Sequence, residues 1–264
     1  MTSTSRGKKN AQRVLALIFW LIVWQLAASA IGHDLLLVSP VKVIKILISQ
    51  VQEAEFWATV AHSFARIVSG FLLAIVTGVF LAVISAGHGI IRALLAPFFS
   101  VVKSIPVASF IILVLIWAGS NTLSVVISFL MVLPILYTNV LQGFMQTDRK
   151  LLEMAKVFRI GLRKKLYAIY IPGVLPYFSA GCKLGLGLCW KSGIAAEVIG
   201  LPDGSIGEKL YQAKIFLSTG ELFSWTIVII LISSLFERFF FRLLGYIERR
   251  AVFTAPVSDN SDNK

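Results

Sequence analysis

The sequence has little charge for its length. Of its 264 residues, 14% are charged and 57% are hydrophobic, and the mean hydropathy is +0.84. A soluble domain has about 25% charged residues and roughly 45–50% apolar ones. A soluble globule built from this chain would lack a water-compatible surface, so we expect most of the chain to be solvated by lipid.

Residues typical of catalytic and metal sites are also scarce. The chain has three histidines and two cysteines, and no histidine stands at metal-ligand spacing from a cysteine or a carboxylate. Cys182 and Cys189 share one apolar segment, and their Cα atoms would lie roughly 10 Å apart on a helix, too far for a disulfide. The phosphate-binding pattern G-x-x-x-x-G-K-[ST] is absent. We therefore predict a non-catalytic protein without a metal or a cofactor.

Acidic residues lie mostly outside the apolar segments. The chain has 13 Asp and Glu residues, and Glu197 stands out as an acid inside an apolar segment. Carriers driven by proton or sodium gradients usually place acids within their membrane spans. This distribution disfavours a stand-alone secondary carrier, which we keep as an alternative.

Lys and Arg exceed the acids, and their positions predict the orientation in the membrane. The formal net charge is +12. In a membrane protein such an excess is typical of cytoplasmic loops, and no soluble basic domain is present that could hold a nucleic acid. We expect the N-terminal tail (residues 1–13), the loop 146–166 and the C-terminal tail (residues 248–264) to be cytoplasmic, in the plasma or inner membrane.

Apolar segments as long as a membrane span recur along the chain. About 20 apolar residues cross a bilayer as a helix. This length predicts an all-α polytopic membrane protein of six spans in one domain, residues 14–247. The predicted spans are 14–31, 64–86, 94–118, 123–144, 167–199 and 222–244. We expect Pro97 and Pro106 to break the third span. Ser39 and Pro40 predict the start of a separate amphipathic helix that lies in the interface.

The loop 146–166 is strongly basic. Its positive charges are set against two acids, Asp148 and Glu153. The cations are Arg149, Lys150, Lys156, Arg159, Arg163, Lys164 and Lys165. A short helical segment with this much positive charge on one side of a membrane protein predicts a docking surface for a partner.

The fifth predicted span combines glycines with charged residues. Gly181 and Gly185 form a G-x-x-x-G pattern, which lets membrane helices approach closely. Lys183, Lys191 and Glu197 lie in the same segment, and charges in lipid usually face a partner or a cavity. Two interpretations stay open: tight helix packing alone, or a moving interface beside a water-filled path.

Several of these stretches together carry a resemblance to one family. Glu153 and Ala155 match a cytoplasmic motif that begins Glu-Ala-Ala, and Pro172 matches its final proline. Arg159 stands where the motif has a glycine, and Gly161 follows two residues later. Further matching stretches are Lys103-Ser104-Ile105-Pro106, Trp117-Ala118-Gly119, Pro134 with Asn139 and Gly143, and Trp190 with Ala196-Glu197. The chain thus resembles the permease subunit of ATP-binding-cassette (ABC) importers, in the nitrate, sulfonate and taurine branch.

The resemblance implies a type I importer fold and a division of labour between subunits. A separate ATPase would dock on the short helix of the basic loop, from about residue 152 to 158. A second copy of the chain would complete the path, and a solute-binding protein would dock outside. The ATPase-coupling residues would be Glu153, Ala155, Arg159, Gly161, Arg163 and Pro172. The candidate path or gate residues are Lys103, Ser104, Pro106, Asn139, Trp190, Lys191 and Glu197.

The same resemblance implies that the complex imports a small solute. The solute would be an anion such as nitrate, a sulfonate, taurine or bicarbonate, and the solute-binding protein would select it. Import of an aromatic vitamin precursor by the same machinery is an alternative. The external segments near 34–53 and 200–221 would contact the solute-binding protein.

Overall fold

The computed structural model describes the backbone of residues 3–253 and, within it, the side chains of residues 12 and 14–247. The outer part of the predicted C-terminal tail, from residue 254 on, and residues 1 and 2 lie outside the described residues. No strand occurs between residues 3 and 253, which confirms the all-α fold. The helices are α1 (Ser3–Ile31), α2 (Pro40–Val51), α3 (Ala54–Gly87), α4 (Gly89–Ser104), α5 (Val107–Met145), α6 (Arg149–Val157), α7 (Leu162–Lys165), α8 (Ile171–Gly200), α9 (Ile206–Ile215) and α10 (Thr219–Phe253).

Most of the long helices correspond to predicted spans. In the described part of the chain, three stretches are long and apolar enough to cross a membrane: Val14–Ile31 of α1, all of α3 and all of α5. Helices α8 and α10, with 30 and 35 residues, also exceed the roughly 20 residues that a span needs, although both carry charged side chains. Helix α3 begins at Ala54, ten residues before predicted span 2.

The third predicted span agrees with the structure at Pro106 and at its end, but not at its start or at Pro97. Pro97 lies inside α4 without ending it, and the chain leaves the helical conformation only at Ile105 and Pro106. The next non-helical residue is Gly119, with φ 67° and ψ 171°, and it divides α5 into two halves. Ile111 before it and Ile127 after it share one buried cluster. The chain therefore reverses at Gly119, between the third and fourth predicted spans.

The amphipathic helix α2 begins as predicted. Pro40 occupies its first turn, and the backbone N–H of Lys42 donates to Ser39 Oγ at 3.4 Å. Its buried face includes Val43, and Gln50 Oε1 accepts a hydrogen bond of 2.6 Å from Ser224 on α10. These contacts fix α2 against the first turns of α10.

The core forms where α3, α5 and α8 pack on one another, and glycines permit the close approach. A Cβ atom at Gly181 would lie 3.1 Å from Asn139 Cβ, and one at Gly185 would lie 3.0 Å from Val132 Cγ1. At Gly193 it would lie 2.7 Å from Ser128 Oγ. These glycines therefore serve helix packing within one chain, which is the first of the two interpretations of the G-x-x-x-G pattern.

Helix α8 sets the distance between the two ends of the molecule. It follows the basic loop after a π-helical segment, Leu166–Tyr170, and ends at Gly200, a few residues before α9 begins. Thirty helical residues span roughly 45 Å, more than the roughly 30 Å hydrocarbon core of a bilayer. The basic loop and α9 consequently lie at opposite ends of the transmembrane bundle.

Candidate coupling surface and membrane path

The basic loop contains a short helix, α6, whose start is fixed by a side-chain cap. The Oδ1 atom of Asp148 accepts a hydrogen bond of 2.8 Å from the backbone N–H of Lys150. Aspartate is a favoured residue at this position because it satisfies a free N–H of the first turn. The cap starts α6 at Arg149, three residues before the predicted start at residue 152, and the helix ends at Val157.

Helix α6 ends in a left-handed turn formed by Arg159 itself. Arg159 has φ 48°, its N–H donates to the carbonyl of Lys156 at 3.1 Å, and the N–H of Ile160 donates to the carbonyl of Ala155 at 2.9 Å. This is the Schellman pattern of hydrogen bonds, in which glycine usually occupies the left-handed position. Gly161 has φ −62° and instead precedes α7. The turn geometry is therefore preserved although the glycine of the motif is missing.

The outward side of α6 and its flanks is apolar as well as basic. Ala155 is 2% exposed and marks the buried side of the helix. Beside it, a groove of about 510 Å³ is lined by Glu153, Arg159 and Lys165 among others. The exposed apolar side chains of this surface are Leu151, Met154, Val157, Phe158 and Leu162. We call these five side chains together with the loop's cations the coupling surface.

The cations of the coupling surface have no acidic partners in the described part of the chain. The two ion pairs found there, Lys42 with Asp34 and Lys209 with Glu55, lie elsewhere in the molecule. Arg163 is exposed on α7, and Pro172 is the second residue of α8. A surface of unpaired cations around exposed apolar side chains fits a partner with acidic residues around an apolar groove.

Three of the predicted path residues lie together at the break between α4 and α5. Lys103 Nζ donates to Thr138 Oγ1 at 2.9 Å, which joins α4 to the second half of α5. Ser104 Oγ donates to the carbonyl of Ser100 at 2.9 Å, and Pro106 precedes the first residue of α5. All three predicted residues are exposed in the single chain.

Asn139 and Trp190 are packed inside the bundle. Asn139 is half-buried beneath Gly181, and its Nδ2 donates to the carbonyl of Ile135 at 2.8 Å. Trp190 is 4% exposed and packs against Phe64 and Phe236. Neither side chain therefore projects freely from the surface of the bundle.

Lys191 follows Trp190 on α8 and is exposed. It lines a cavity of about 380 Å³ between α8 and α10, together with Ser233 and Glu237. The cavity lies on a different face of α8 from the glycines that contact α5. The structure thus separates Lys191 from the cluster around Lys103.

Glu197 lies in a buried polar cluster at the other end of α8. The other members are Ser63, Ser124 and the backbone N–H groups of Ile206 and Gly207. The side chain of Glu197 is fully buried, and Ser63 Oγ donates to its Oε2 at 2.7 Å. The N–H of Gly207 donates to the same oxygen at 3.3 Å, and Ser124 Oγ donates to Oε1 at 3.3 Å. Ser63 also accepts a 2.8 Å bond from the N–H of Ile206. The polar cluster connects α3, α5 and α8 to the start of α9 through hydrogen bonds. It does not include Lys103 or Lys191.

Sequence reasoning missed the partners that complete these sites. Ser63 and Gly207 lie far from Glu197 in sequence or across a turn, and neither stands in a recognisable motif. A buried acid in a span requires donors, which is a signal that partners exist but does not identify them. Glu237 was also missed, although it is a charged residue inside predicted span 6 and could have been found by the same rule that found Glu197.

Comparisons with known proteins place this chain among membrane transport subunits. Residues 74–252, about two thirds of the chain, match the family described as "Binding-protein-dependent transport system inner membrane component". The taurine transport system permease protein TauC of Escherichia coli is 24% identical over 220 residues, which cover 81% of this chain and 80% of that protein. The nitrate import permease protein NrtB of Synechococcus elongatus is 25% identical over 211 residues, covering 76% of this chain and 75% of that protein.

The fold also resembles that of a solved transporter. A crystal structure of an amino acid ABC transporter with histidines superposes with a TM-score of 0.51, over 80% of this chain and 96% of that chain. The sequences are 20% identical. The likeness therefore concerns the arrangement of the helices.

Proposed function

The chain belongs to the family of binding-protein-dependent transport system inner membrane components, the permease subunits of ABC importers, and on that premise we propose how it works. It forms half of a translocation path through the membrane and converts the movement of a separate ATPase into a switch of that path. Permease subunits of this family are non-catalytic, so the chemistry of ATP belongs to the partner chain.

The observation that carries the proposal is the coupling surface. Helix α6 is short and capped at both ends, its Ala155 is buried, and it presents exposed apolar side chains among cations without acidic partners in the described part of the chain. Such a helix can transmit a push because it is a rigid element, and the Schellman turn connects it to α7 and α8 without a long flexible loop. The ATPase would receive Phe158 and its neighbours in a groove.

A second copy of the chain would complete the path. Within one chain, the stretch Val14–Ile31 of α1 is almost entirely exposed, so lipid or another chain must cover it. Lys103 and Lys191 are exposed on membrane helices, where an uncompensated charge is costly. A water-filled path between two copies would solvate them. With the basic loop inside the cell, the positive-inside rule also places both termini in the cytoplasm.

The proposed solute is a small molecule with an anionic group, either a simple anion or a zwitterion. The names of two relatives specify taurine and nitrate, and the exposed lysines of the membrane helices would favour a negative charge in the path. A solute-binding protein would deliver the solute to the end opposite the coupling surface. There, α9 exposes Phe216 and Leu217 just beyond its last turn.

The proposal is tested by removing one apolar contact from the coupling surface. In Phe158→Ser, a side chain that is 71% exposed loses its ring, so the stability of the chain should change little. We expect recovery of the ATPase to fall at least about tenfold, because a buried aromatic anchor contributes roughly 2 kcal/mol or more to an interface. The measurement is a mild-detergent pull-down of the tagged chain, with the ATPase identified by mass spectrometry.

A matched control is Phe216→Ser at the opposite end of α8. Phe216 is 76% exposed, so the two variants remove the same side chain at the same exposure. Recovery of the ATPase should stay at the level of the unmodified chain in the control. Equal recovery in both variants, or no ATPase with the unmodified chain, would contradict the proposed docking surface.

A further inference from the structure

A second site lies in the cavity between α8 and α10, away from the coupling surface and from Lys103. The cavity has a volume of about 380 Å³ and is lined mainly by aliphatic side chains. Three groups in its lining can hold a polar ligand: Lys191, Ser233 and Glu237. Trp190 completes the wall with its indole ring. An apolar cavity with a few convergent polar groups is the usual form of a small-molecule site.

The two charges of this cavity are not paired with each other. In the described part of the chain, neither Lys191 nor Glu237 forms an ion pair or a side-chain hydrogen bond. Both lie within membrane helices, where isolated charges are costly and tend to pair or to face water. Their placement in one cavity without mutual contact leaves room for a ligand between an ammonium and a carboxylate.

Ser233 is the third polar group of the cavity. Ser233 Oγ donates to the carbonyl of Ile230 at 3.1 Å, so its lone pairs remain able to accept a hydrogen bond.

We propose that this cavity binds a small zwitterion, with its anionic end at Lys191 and its ammonium end at Glu237. A sulfonate or carboxylate would receive a charge-assisted hydrogen bond from Lys191. The ammonium would donate to Glu237 and Ser233. The apolar wall around Trp190 accommodates a short carbon chain between the two ends. A simple anion would leave Glu237 unpaired, and a simple cation would leave Lys191 unpaired.

The proposal rests on the proposed function for its place in a transport cycle, but binding can be tested without transport. The purified full-length chain in nanodiscs is titrated with taurine, ethanesulfonate and ethylamine. Taurine combines the charges that the other two carry singly. We expect taurine to bind at least roughly tenfold more tightly than either single-charge probe, because a hydrogen bond to a charged group is worth about one factor of ten or more.

Two variants and two matched controls test which residue binds the anionic end of the zwitterion and which binds its ammonium end. Glu237→Gln should remove the advantage of taurine over ethanesulfonate, and Lys191→Met should weaken both at least about tenfold. Glu221→Gln, on the same helix as Glu237, and Lys183→Met, on the same helix as Lys191, lie outside the cavity lining and should bind as the unmodified chain does. Size-exclusion profiles identify any variant that fails to fold, and for such a variant Glu237→Asp and Lys191→Arg provide the comparison.

The outcomes separate this site from the proposed function. Equal affinity for taurine and ethanesulfonate in the unmodified chain, binding of none of the three probes, or unchanged selectivity in Glu237→Gln would each overturn the zwitterion site. Taurine binding by a chain that recovers no ATPase would leave the site standing and refute the proposed function. Recovery of the ATPase without binding of any probe would support the proposed function and overturn the zwitterion site.

Discussion

At the residue scale, the left-handed Arg159 shows how a motif can keep its shape after losing its glycine. A left-handed conformation costs a non-glycine residue roughly 1–2 kcal/mol. In α6 that cost is offset by two backbone hydrogen bonds and by the capped helix that precedes them. Leu201 and Leu217 take the same conformation, with φ 49° and 54°, after α8 and α9. The chain thus ends three helices with left-handed residues that are not glycine.

Restoring glycine at position 159 should relieve this strain. We expect Arg159→Gly to raise the unfolding free energy of the purified chain by about 1 kcal/mol, measured as a higher midpoint of thermal unfolding. Gly161→Ala is the control, because φ at Gly161 is −62° and alanine adopts that angle freely. If Arg159→Gly lowers the midpoint instead, the side chain of Arg159 stabilises the turn through contacts that outweigh the strain.

Ser63 makes a second residue-scale prediction. Its hydroxyl donates to Glu197 and accepts from the N–H of Ile206, so Ser63→Ala leaves two buried groups short of a partner. We expect a loss of about 2–4 kcal/mol of unfolding free energy, measured as a reduced unfolding midpoint in mild detergent. Ser69→Ala on the same helix is the control, because Ser69 bonds only a carbonyl of its own helix. Equal unfolding midpoints for the two variants would refute a stabilising role of the polar cluster around Glu197.

At the scale of elements, the packing of α8 on α3 and α5 depends on glycines, whose lack of a side chain lets the helices approach closely. A Cβ at Gly193 would lie 2.7 Å from Ser128 Oγ and 2.8 Å from Ile67 Cγ1, whereas one at Gly187 would meet nothing within 4 Å. The two glycines are on one helix but on different faces. The sequence alone does not show which of the two glycines is required for packing, because both lie in the same glycine-rich run.

These two positions give a matched pair of substitutions. We expect Gly193→Ala to destabilise the chain by about 1–3 kcal/mol through overpacking. Gly187→Ala should be neutral or stabilise by up to about 1 kcal/mol, because alanine favours the helix. Unfolding of both purified variants by increasing concentrations of SDS measures the difference. Destabilisation by Gly187→Ala of the same size would mean that its open face is covered in the assembled protein.

At the scale of the whole molecule, the exposed lysines of the membrane helices should matter for the solute and not for folding. Lys103 joins α4 to α5 through Thr138, so Lys103→Met removes a charge and one exposed hydrogen bond. We expect uptake of an anionic solute by the reconstituted complex to fall at least about tenfold, the value of one charge-assisted contact. Recovery of the ATPase should be unchanged.

The control for this prediction is Lys45→Met. Lys45 is also exposed but lies on the interfacial helix α2, so its loss removes the same charge away from the proposed path. Uptake should remain near the level of the unmodified protein. Unchanged uptake in Lys103→Met would remove Lys103 from the path, and a matching loss in Lys45→Met would indicate an effect of net charge alone.

The sequence by itself determined the class of the molecule and the approximate position of α6. Composition decides whether water or lipid is the solvent, so the all-α membrane fold could be predicted from local patterns, whereas the cap at Asp148 that starts α6 was missed. The break at Pro106 was predicted correctly and the break at Pro97 was not, because a proline in a helix can be accommodated or can break it. Pro97 and Pro106 differ in that respect only through their neighbours.

The tertiary structure alone decided which distant groups meet. Glu197 meets Ser63, 134 residues away in the chain, and Gly207, across the turn between α8 and α9. The packing of α8 against α10 places Lys191 and Glu237 in the lining of one cavity. Glycines 187 and 193 acquire different roles for the same reason. Local sequence fixes a helix and its faces, whereas the rotation of one helix against another follows from the combined packing of all of them, which no single segment encodes.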